Sequence, residues 1–259
     1  MPAEVLLESI ELSRRFGGVL AVDRASITLA RGEVHALIGT NGAGKSTLVD
    51  VLCGEIPPTG GSVRLAGRDV TRWPQPRRAR AGLGRSYQRT TIFSRSSVLE
   101  NCRLAAQAHF QRPSDLWRDA TRCRDATGAA EQAIAQAGLS AQTHRIAGTL
   151  SHGQKRQLEI AMCLATAPSV LLLDEPLAGM GPEETERMLA LLEALKPGHA
   201  ILLVEHDMDA VFRIAARITV MVSGRVIATG EPEAIRGNAD VQSAYLGESD
   251  DVPQLAGNG

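Results

Sequence analysis

The stretch GTNGAGKSTL, residues 39–48, places three glycines, a lysine and several hydroxyl side chains between an apolar segment and a helical pattern. It fits the pattern G-x-x-x-x-G-K-[ST], with Gly39, Gly44, Lys45 and Ser46 at the fixed positions. Glycines let a backbone turn its N–H groups inward and come close to a phosphate. The helix predicted from Lys45 onward adds its positive end at the same point. The stretch therefore predicts a phosphate-binding loop.

Side chains of this loop have distinct expected roles. Lys45 is expected to pair with the β and γ phosphates of a nucleotide, and Ser46 to offer its hydroxyl to Mg²⁺. The other loop residues expected to bind the nucleotide are Asn41, Gly42, Ala43, Gly44 and Thr47. The loop alone leaves kinases, GTPases, recombinases and transporters open as functions.

The length and charge of the chain narrow its class. It has 259 residues, which is enough for one large domain or for a core domain with a subdomain. Its formal net charge of −1 gives no general argument for a nucleic-acid or anionic-membrane partner. No apolar run approaches the roughly 20 residues that span a bilayer, and the amino terminus lacks the pattern of a signal peptide. The chain is therefore expected to lie in the cytoplasm.

Three nearly continuous apolar runs predict the main sheet. Residues 34–39, 170–174 and 201–205 have the composition of strands that are covered on both faces. Helical segments lie between these runs, which predicts an α/β fold with a mainly parallel sheet, the P-loop NTPase core. Residues 5–12 and 25–30 partly alternate apolar and polar side chains, and they predict the strands of an N-terminal antiparallel β portion.

Two further segments complete the expected organisation. Residues 217–230 predict a hairpin that turns at Ser223 and Gly224. Residues 98–145 are rich in alanine and have helical spacing, so an all-helical insertion is expected at about residues 90–160. The expected division is one domain over 4–247, with its core at 4–89 and 161–247, followed by a flexible tail at 248–259.

An acidic pair ends the second apolar run. VLLLDEP, residues 170–176, contains Asp174 and Glu175. A carboxylate at the end of a buried strand can reach the Mg²⁺ that Ser46 holds, and Asp174 suits this role. Glu175 is expected to polarise the attacking water as a general base. The pair would therefore turn phosphate binding into hydrolysis.

A third motif, LSHGQ at residues 150–154, opens a predicted helix before this strand. The order of the three motifs makes the chain similar to the ATP-binding cassette ATPases, whose signature is usually LSGGQ followed by a helix. Ser151, Gly153 and Gln154 match that signature, whereas His152 replaces its first glycine. A second departure follows the acidic pair, where Gly181 stands in place of the family's usual aspartate.

The resemblance implies roles for three more residues. Gln88 matches the glutamine loop, which joins the core to the helical insertion and contacts the metal site during catalysis. His206 matches the switch histidine that contacts the γ phosphate, and Phe16 matches the aromatic residue that lies against adenine. Without the order of the motifs, each of the three would suit a structural role instead.

The resemblance also implies a mechanism. In the family, two ATPase subunits pair head to tail and hold ATP between the phosphate loop of one and the signature of the other. The loop, Asp174, Glu175 and His206 would then act in cis, with Ser151 and Gly153 in trans. The second subunit is expected to be an identical chain or a paralogue, and closure of the pair is expected to drive transmembrane permease subunits.

Within the family, the chain resembles the ATPase subunits of bacterial branched-chain amino acid importers. The likeness is carried by FGGVLAV (16–22), LSHGQKRQLEIAM (150–162), DEPLAGMGPEET (174–185), VEHDMDAVF (204–212) and GEPEAIRGNADVQSAYLGE (230–248). It implies a place at the inner face of the cell membrane, with a periplasmic solute-binding protein as an indirect partner and no nucleic acid. Importers of urea or short amides are an alternative, and a non-transport cassette ATPase is a more distant one.

Two sets of basic side chains have no role in these motifs. Six arginines lie between Arg72 and Arg89, and they face either solvent or a membrane subunit and lipid headgroups. His35 lies within a predicted strand, and it is expected to be a core histidine.

Overall fold

The computed structural model of the chain describes residues 4–87, 91–110 and 124–246. Its strands are β1 (Val5–Phe16), β2 (Val19–Ala25), β3 (Thr28–Ala30), β4 (Val34–Gly39), β5 (Gly60–Leu65), β6 (Arg68–Asp69), β7 (Leu83–Arg85), β8 (Val170–Asp174), β9 (Ala200–Val204), β10 (Arg217–Val222) and β11 (Arg225–Gly230). Its α-helices are α1 (Lys45–Cys53), α2 (Gln75–Arg80), α3 (Val98–Phe110), α4 (Arg124–Gln136), α5 (His152–Leu164), α6 (Pro182–Leu195), α7 (Met208–Ile214), α8 (Pro232–Arg236) and α9 (Ala239–Leu246).

The central sheet has six strands in the order β11-β10-β4-β9-β8-β7. The pairs from β10 to β7 are parallel, and β11 is an antiparallel edge strand. Every residue of β8 and β9 is buried, because both faces of these strands are covered; β9 is entirely apolar, and β8 is apolar up to its last residue, Asp174. The predicted α/β fold with a mainly parallel sheet is therefore confirmed.

A second, antiparallel sheet is built from the N-terminal part of the chain, in the order β2-β1-β5-β6 with β3 paired to β1. Its apolar side chains share one core with α1 and with the central sheet, as Leu12, Leu48 and Leu172 illustrate. This core fixes α1, and with it the phosphate loop, between the two sheets.

The strand predicted over residues 25–30 is wrong in its extent, since β2 ends at Ala25 and β3 begins at Thr28. The cause is a pair of hydroxyls that replace strand hydrogen bonds. The Ser9 hydroxyl accepts the N–H of Ile27 at 2.9 Å, and the Ser26 hydroxyl accepts the N–H of Glu11 at 2.9 Å.

Helices α3, α4 and α5 pack around one apolar cluster that includes Cys102, Ala130, Ile134 and Leu158. Small alanine side chains let these helices approach closely, which is what the alanine-rich sequence predicts. Residues 111–123 lie outside the described part of the chain, as does the tail at 248–259.

The parallel strands bring the sequence motifs to one edge of the sheet. Asp174 of β8 is in register with Val204 of β9, and Val204 is in register with Leu37 of β4. The phosphate loop, the acidic pair and His206 directly follow these positions in the chain. They therefore converge at the carboxyl ends of the strands, where α/β sheets bind ligands.

Among the described helices, none combines the length and the apolar character needed to cross a bilayer.

Candidate active site

The phosphate loop leaves β4 and enters α1 at Gly44, whose backbone is left-handed with φ 98°. A Cβ at this position would lie 2.2 Å from the carbonyl oxygen of Ala21. Because the clash is with backbone, a larger residue would displace β2 or the loop itself. The glycine thus lets the loop lie directly against the second sheet.

The N-terminus of α1 has the features of an anion-binding site. Among the described residues no side chain caps this helix, and its first turn contains no acidic residue. No carboxylate of the first turn therefore competes with a phosphate for its N–H groups. The Lys45 ammonium is held in the loop, where it donates to the carbonyl oxygens of Gly39 at 2.6 Å and Thr40 at 3.0 Å.

The loop lines a cavity of about 550 Å³ that also includes Glu175 and the hairpin turn between β10 and β11. In that turn, Ser223 and Gly224 both have positive φ, which confirms the predicted tight hairpin. The N–H of Gly224 donates to the carbonyl of Ala43 at 2.9 Å, and its carbonyl accepts the N–H of Asp23 at 2.8 Å. The turn therefore braces the phosphate loop against β2.

Asp174 is buried at the end of β8. Burial raises the pKa of its carboxyl, and the positive charge of Arg85 partly opposes that shift. Arg85 itself forms ion pairs with Asp50 and Glu55 rather than with Asp174. Across the described ranges, no basic side chain forms an ion pair with the Asp174 carboxylate, so a cation beside it would offset its burial.

The oxygen donors at this point suit Mg²⁺. Ser46 has a hydroxyl in the first turn of α1, and Asp174 has a carboxylate at the end of β8. The described residues contain no group of three or more His, Cys, Asp or Glu that could hold a metal by themselves. Proteins typically bind Mg²⁺ through one or two side-chain oxygens together with substrate phosphates and water, so a hydroxyl and a carboxylate fit this ion.

Two of the predicted catalytic side chains, Glu175 and His206, lie together. The Nδ1 atom of His206 is 4.0 Å from Oε1 of Glu175, and Glu175 lines the phosphate cavity. Glu175 has a left-handed backbone with φ 49°, which is costly for a residue other than glycine and is typical of functional sites. Its N–H donates to the carbonyl of Val204 at 2.9 Å.

Sequence reasoning missed Glu205, which neighbours both of these residues. Its side chain is completely buried, and burial raises the pKa of its carboxyl. Oε1 accepts the N–H of Leu177 at 2.8 Å, and Oε2 accepts the N–H of His206 at 3.2 Å. The available signal was a carboxylate directly after a fully apolar strand, because a charge in that position needs partners.

The signature motif begins α5, with Ser151 as its N-cap. The Ser151 hydroxyl accepts the N–H of Gln154 at 3.2 Å, and the Gln154 side-chain oxygen accepts the N–H of Ser151 at 3.1 Å. This arrangement is a capping box. A carboxylate from α6 adds to it, since Oε1 of Glu184 accepts the Ser151 hydroxyl at 3.1 Å and the Gly153 N–H at 3.2 Å.

The fold of one chain does not bring the signature to the phosphate loop. Ser151, Gly153 and Gln154 line a separate cavity of about 20 Å³ beside Glu184. No phosphate-loop residue lines the cavity at the signature, and no signature residue lines the cavity at the phosphate loop.

The two departures from the usual family motifs lie close together. The Nε2 atom of His152 is 2.9 Å from the carbonyl oxygen of Ala178, so the ring joins the signature to the segment after the acidic pair. Gly181 is the N-cap of α6, and it lacks the side chain with which the usual aspartate would act.

Of the two remaining predicted site residues, the structure describes Phe16 but not Gln88. Phe16 ends β1 and pairs with Val19, which lines the phosphate cavity. The Arg14 guanidinium lies over one face of the Phe16 ring, 4.4 Å from its centroid, and Phe16 is 44% exposed. Gln88 lies outside the described residues.

Neither interpretation of the arginine group fits its buried member, Arg78. Arg78 donates to the backbone carbonyls of Val51, Leu52, Thr71 and Trp73, and it therefore ties α2 to α1. His35 is a core histidine, as predicted, because it is buried against Thr219 at 2.7 Å. Burial lowers the pKa of His35 to about 4.

Comparisons with family models identify two matches. Residues 22–178, more than half of the chain, match the family described as ABC transporter. Residues 225–251 match the family described as branched-chain amino acid ATP-binding cassette transporter.

Two curated relatives illustrate the similarity over the whole length. The high-affinity branched-chain amino acid transport ATP-binding protein BraF of Pseudomonas aeruginosa is 39% identical over 251 residues, which cover 94% of this chain and 98% of the relative. The protein of the same description from Escherichia coli strain K12, LivG, is 40% identical over 256 residues, which cover 95% of this chain and 100% of LivG.

Solved structures give the same result for the fold. A nucleotide-free ATP-binding cassette from an ABC transporter has a TM-score of 0.84 and 28% identity, and the match covers 94% of this chain and all of that one. An ATP-binding cassette in its ADP conformation has a TM-score of 0.85 and 29% identity, over 94% of this chain and 99% of that one.

Proposed function

The chain belongs to the ABC transporter family, and on that premise we propose that it powers uptake of branched-chain amino acids through a separate permease. ATP hydrolysis is the general activity of this family, so the chain is an ATP-binding hydrolase. The match of residues 225–251 to branched-chain amino acid cassettes carries the solute class. The near full-length identity to BraF and LivG supports it.

The proposed nucleotide site follows from the cavity at the phosphate loop. The N–H groups at the start of α1 and the Lys45 ammonium bind the β and γ phosphates, and the exposed Phe16 ring lies against adenine. Ser46 and Asp174 hold Mg²⁺, together with Gln88, and the metal when bound neutralises charge on the phosphates.

Glu175 is the proposed general base. It lines the phosphate cavity, where its carboxylate orients the attacking water and accepts a proton from it. His206, 4.0 Å away, contacts the γ phosphate and contributes to its position. These two side chains hold the nucleophile and the phosphoryl group in one place.

The signature supports a head-to-tail pair of subunits. Because Ser151, Gly153 and Gln154 lie in a cavity apart from the phosphate loop, they bind nucleotide from a second ATPase subunit. That subunit is an identical chain or a paralogue. ATP between the two subunits then joins them, and hydrolysis lets them separate.

The permease is proposed to dock beside α3, at the inner face of the membrane. Phe93 is 54% exposed, a high value for a large apolar side chain next to a core. Asn101 fixes this segment, since its side chain bonds both the N–H and the carbonyl of Phe93. The proposed docking groove comprises Gln88, Thr90, Ile92 and Phe93, and the structure describes Ile92 and Phe93 of these four. A periplasmic binding protein supplies the solute on the other side.

The test is reconstitution of the transporter from its native membranes. The tagged chain is purified with its membrane subunits, placed in vesicles with the binding protein, and assayed for hydrolysis with leucine, isoleucine, valine, urea or acetamide. We expect branched-chain amino acids to stimulate hydrolysis and a Lys45→Ala complex to show none. Stimulation by urea or acetamide alone would reassign the solute. A chain that hydrolyses ATP but recovers no membrane subunit would contradict the importer function.

A further inference from the structure

A buried carboxylate joins the two segments that carry the proposed catalytic side chains. Glu205 lies directly after β9, and its side chain has no exposed surface. One of its oxygens accepts the N–H of Leu177, two residues after Glu175, and the other accepts the N–H of His206. The two oxygens of one carboxylate thus hold both segments.

We propose that Glu205 is a positioning residue for ATP hydrolysis, which fixes Glu175 relative to His206. The inference rests on the roles that the proposed function assigns to those two residues. Glu205 does not line the phosphate cavity, so it acts through its neighbours and not on the nucleotide.

The backbone of Glu175 needs such support. Its left-handed conformation persists only where surrounding contacts fix it. The N–H of Glu175 donates to Val204 at 2.9 Å, and the N–H of Ala178 donates back to Glu175 at 3.2 Å. Between these bonds, the contact from Leu177 to Glu205 is charge-assisted, and it is therefore the stronger type.

His206 needs support for a different reason. Its side chain is 68% exposed, so packing contributes little to its orientation. The bond from its N–H to Glu205 fixes the backbone from which the ring extends. A shift of this backbone would change the 4.0 Å separation between the His206 ring and Glu175.

A carboxylate serves both partners in a way that an amide does not. Both contacts come from N–H donors, and a glutamine side chain has only one acceptor atom. In Glu205→Gln, the amide oxygen would keep one bond, and the NH₂ group would face the other N–H. One of the two segments would then lose its anchor while the volume of the side chain stays the same.

The test compares Glu205→Gln and Glu205→Ala with wild type and with a matched control, Ser9→Ala. Ser9 is also buried and bonds two backbone groups, at Ala25 and Ile27, but it lies in the antiparallel sheet. Affinity for a non-hydrolysable ATP analogue, kcat, KM and Tm are measured on the full chain. Because a misplacement of about 1 Å can cost about 100-fold in rate, we expect kcat to fall by about 10- to 100-fold in Glu205→Gln.

Further outcomes separate positioning from general stability. We expect analogue affinity to stay within about threefold of wild type in both Glu205 variants, because the phosphate loop is unchanged. Ser9→Ala should lower Tm without lowering kcat. A wild-type kcat in both Glu205 variants, or an equal fall in kcat and affinity, would overturn the inference.

Glu175→Gln, measured in parallel, separates failure of the inference from failure of the proposed function. If Glu175→Gln abolishes hydrolysis while Glu205→Gln does not, only the positioning role is wrong. If Glu175→Gln hydrolyses ATP at the wild-type rate, the proposed role of Glu175 fails, and the inference about Glu205 fails with it.

Discussion

The N-termini of α1 and α5 both carry a motif that is predicted to bind nucleotide, but they differ in whether side chains of the same chain bond their N–H groups. Within the described residues α1 has no side-chain cap, and a lysine is its first residue. α5 has a complete capping box, and a carboxylate from α6 bonds its serine and its glycine. The N-terminus of α1 can therefore bind an anion from outside the chain, whereas side chains of the same chain already bond the N-terminus of α5.

The difference indicates when each motif binds nucleotide. The loop has the shape and charge to bind phosphate in a single chain. The signature must first release Glu184, because its oxygen holds the Ser151 hydroxyl and the Gly153 N–H, two donors that a γ phosphate would need. We therefore expect ATP to bind at the loop first and at the signature of the second subunit afterwards.

The largest effect is expected from a substitution at the N-terminus of α1. Lys45→Ala removes the cation that pairs with the β and γ phosphates, so ATP affinity should fall by about 100- to 10,000-fold. Isothermal titration calorimetry with ATP measures this change, and hydrolysis should be lost with it. Unchanged affinity would show that the loop is not the phosphate site.

Glu175→Gln should separate binding from hydrolysis at the same helix end. Loss of a general base costs about 100- to 10,000-fold in rate, whereas the loop, Ser46 and Asp174 remain to bind ATP. The variant also removes one negative charge beside the γ phosphate, so it should form an ATP-dependent dimer. Size-exclusion chromatography with ATP and with ADP detects that dimer.

The control for that dimer places a bulky side chain at the N-terminus of α5, where the signature lies. Ser151→Arg, added to Glu175→Gln, should abolish the dimer and leave ATP binding by the monomer intact. A dimer that survives this change would mean that the signature is not used in trans. An inactive variant that stays monomeric with ATP would instead implicate Gly181 or a need for the membrane subunits.

The smallest effect is expected from weakening the contacts between Glu184 and the N-terminus of α5. Glu184→Gln keeps the shape of the side chain but replaces charge-assisted bonds with neutral ones, which are about half as strong. In the Glu175→Gln background, the ATP concentration for half-maximal dimerisation should fall about five- to tenfold. Glu183→Gln is the matched control, because among the described residues the exposed Glu183 bonds only Arg187. Equal effects of the two changes would contradict a specific role for Glu184.

The sequence predicts those parts of the site that are local in the chain. Lys45, Ser46, Asp174 and Glu175 stand at fixed spacings beside strong strand and helix patterns, so their roles follow from the motif. The register of β4, β9 and β8 then brings them to one edge of the sheet.

Glu184 and Glu205 were not predictable in the same way. Each is an acidic residue whose partners depend on how α6 or β9 lies against other elements. Arg78 shows the same limit, because six nearby arginines look alike in the sequence and packing decides which is buried. The break between β2 and β3 also depends on a distant hydroxyl, that of Ser9.

The hairpin turn at Gly224 has a consequence for biosynthesis. The Ala43 carbonyl of the phosphate loop is held by Gly224, a residue that the ribosome adds long after the loop itself. Because that contact joins distant parts of the sequence, it can form only after the C-terminal hairpin has emerged and docked. The braced form of the phosphate loop is therefore reached only after the hairpin has been made, and a nascent chain that stops before Gly224 lacks this brace.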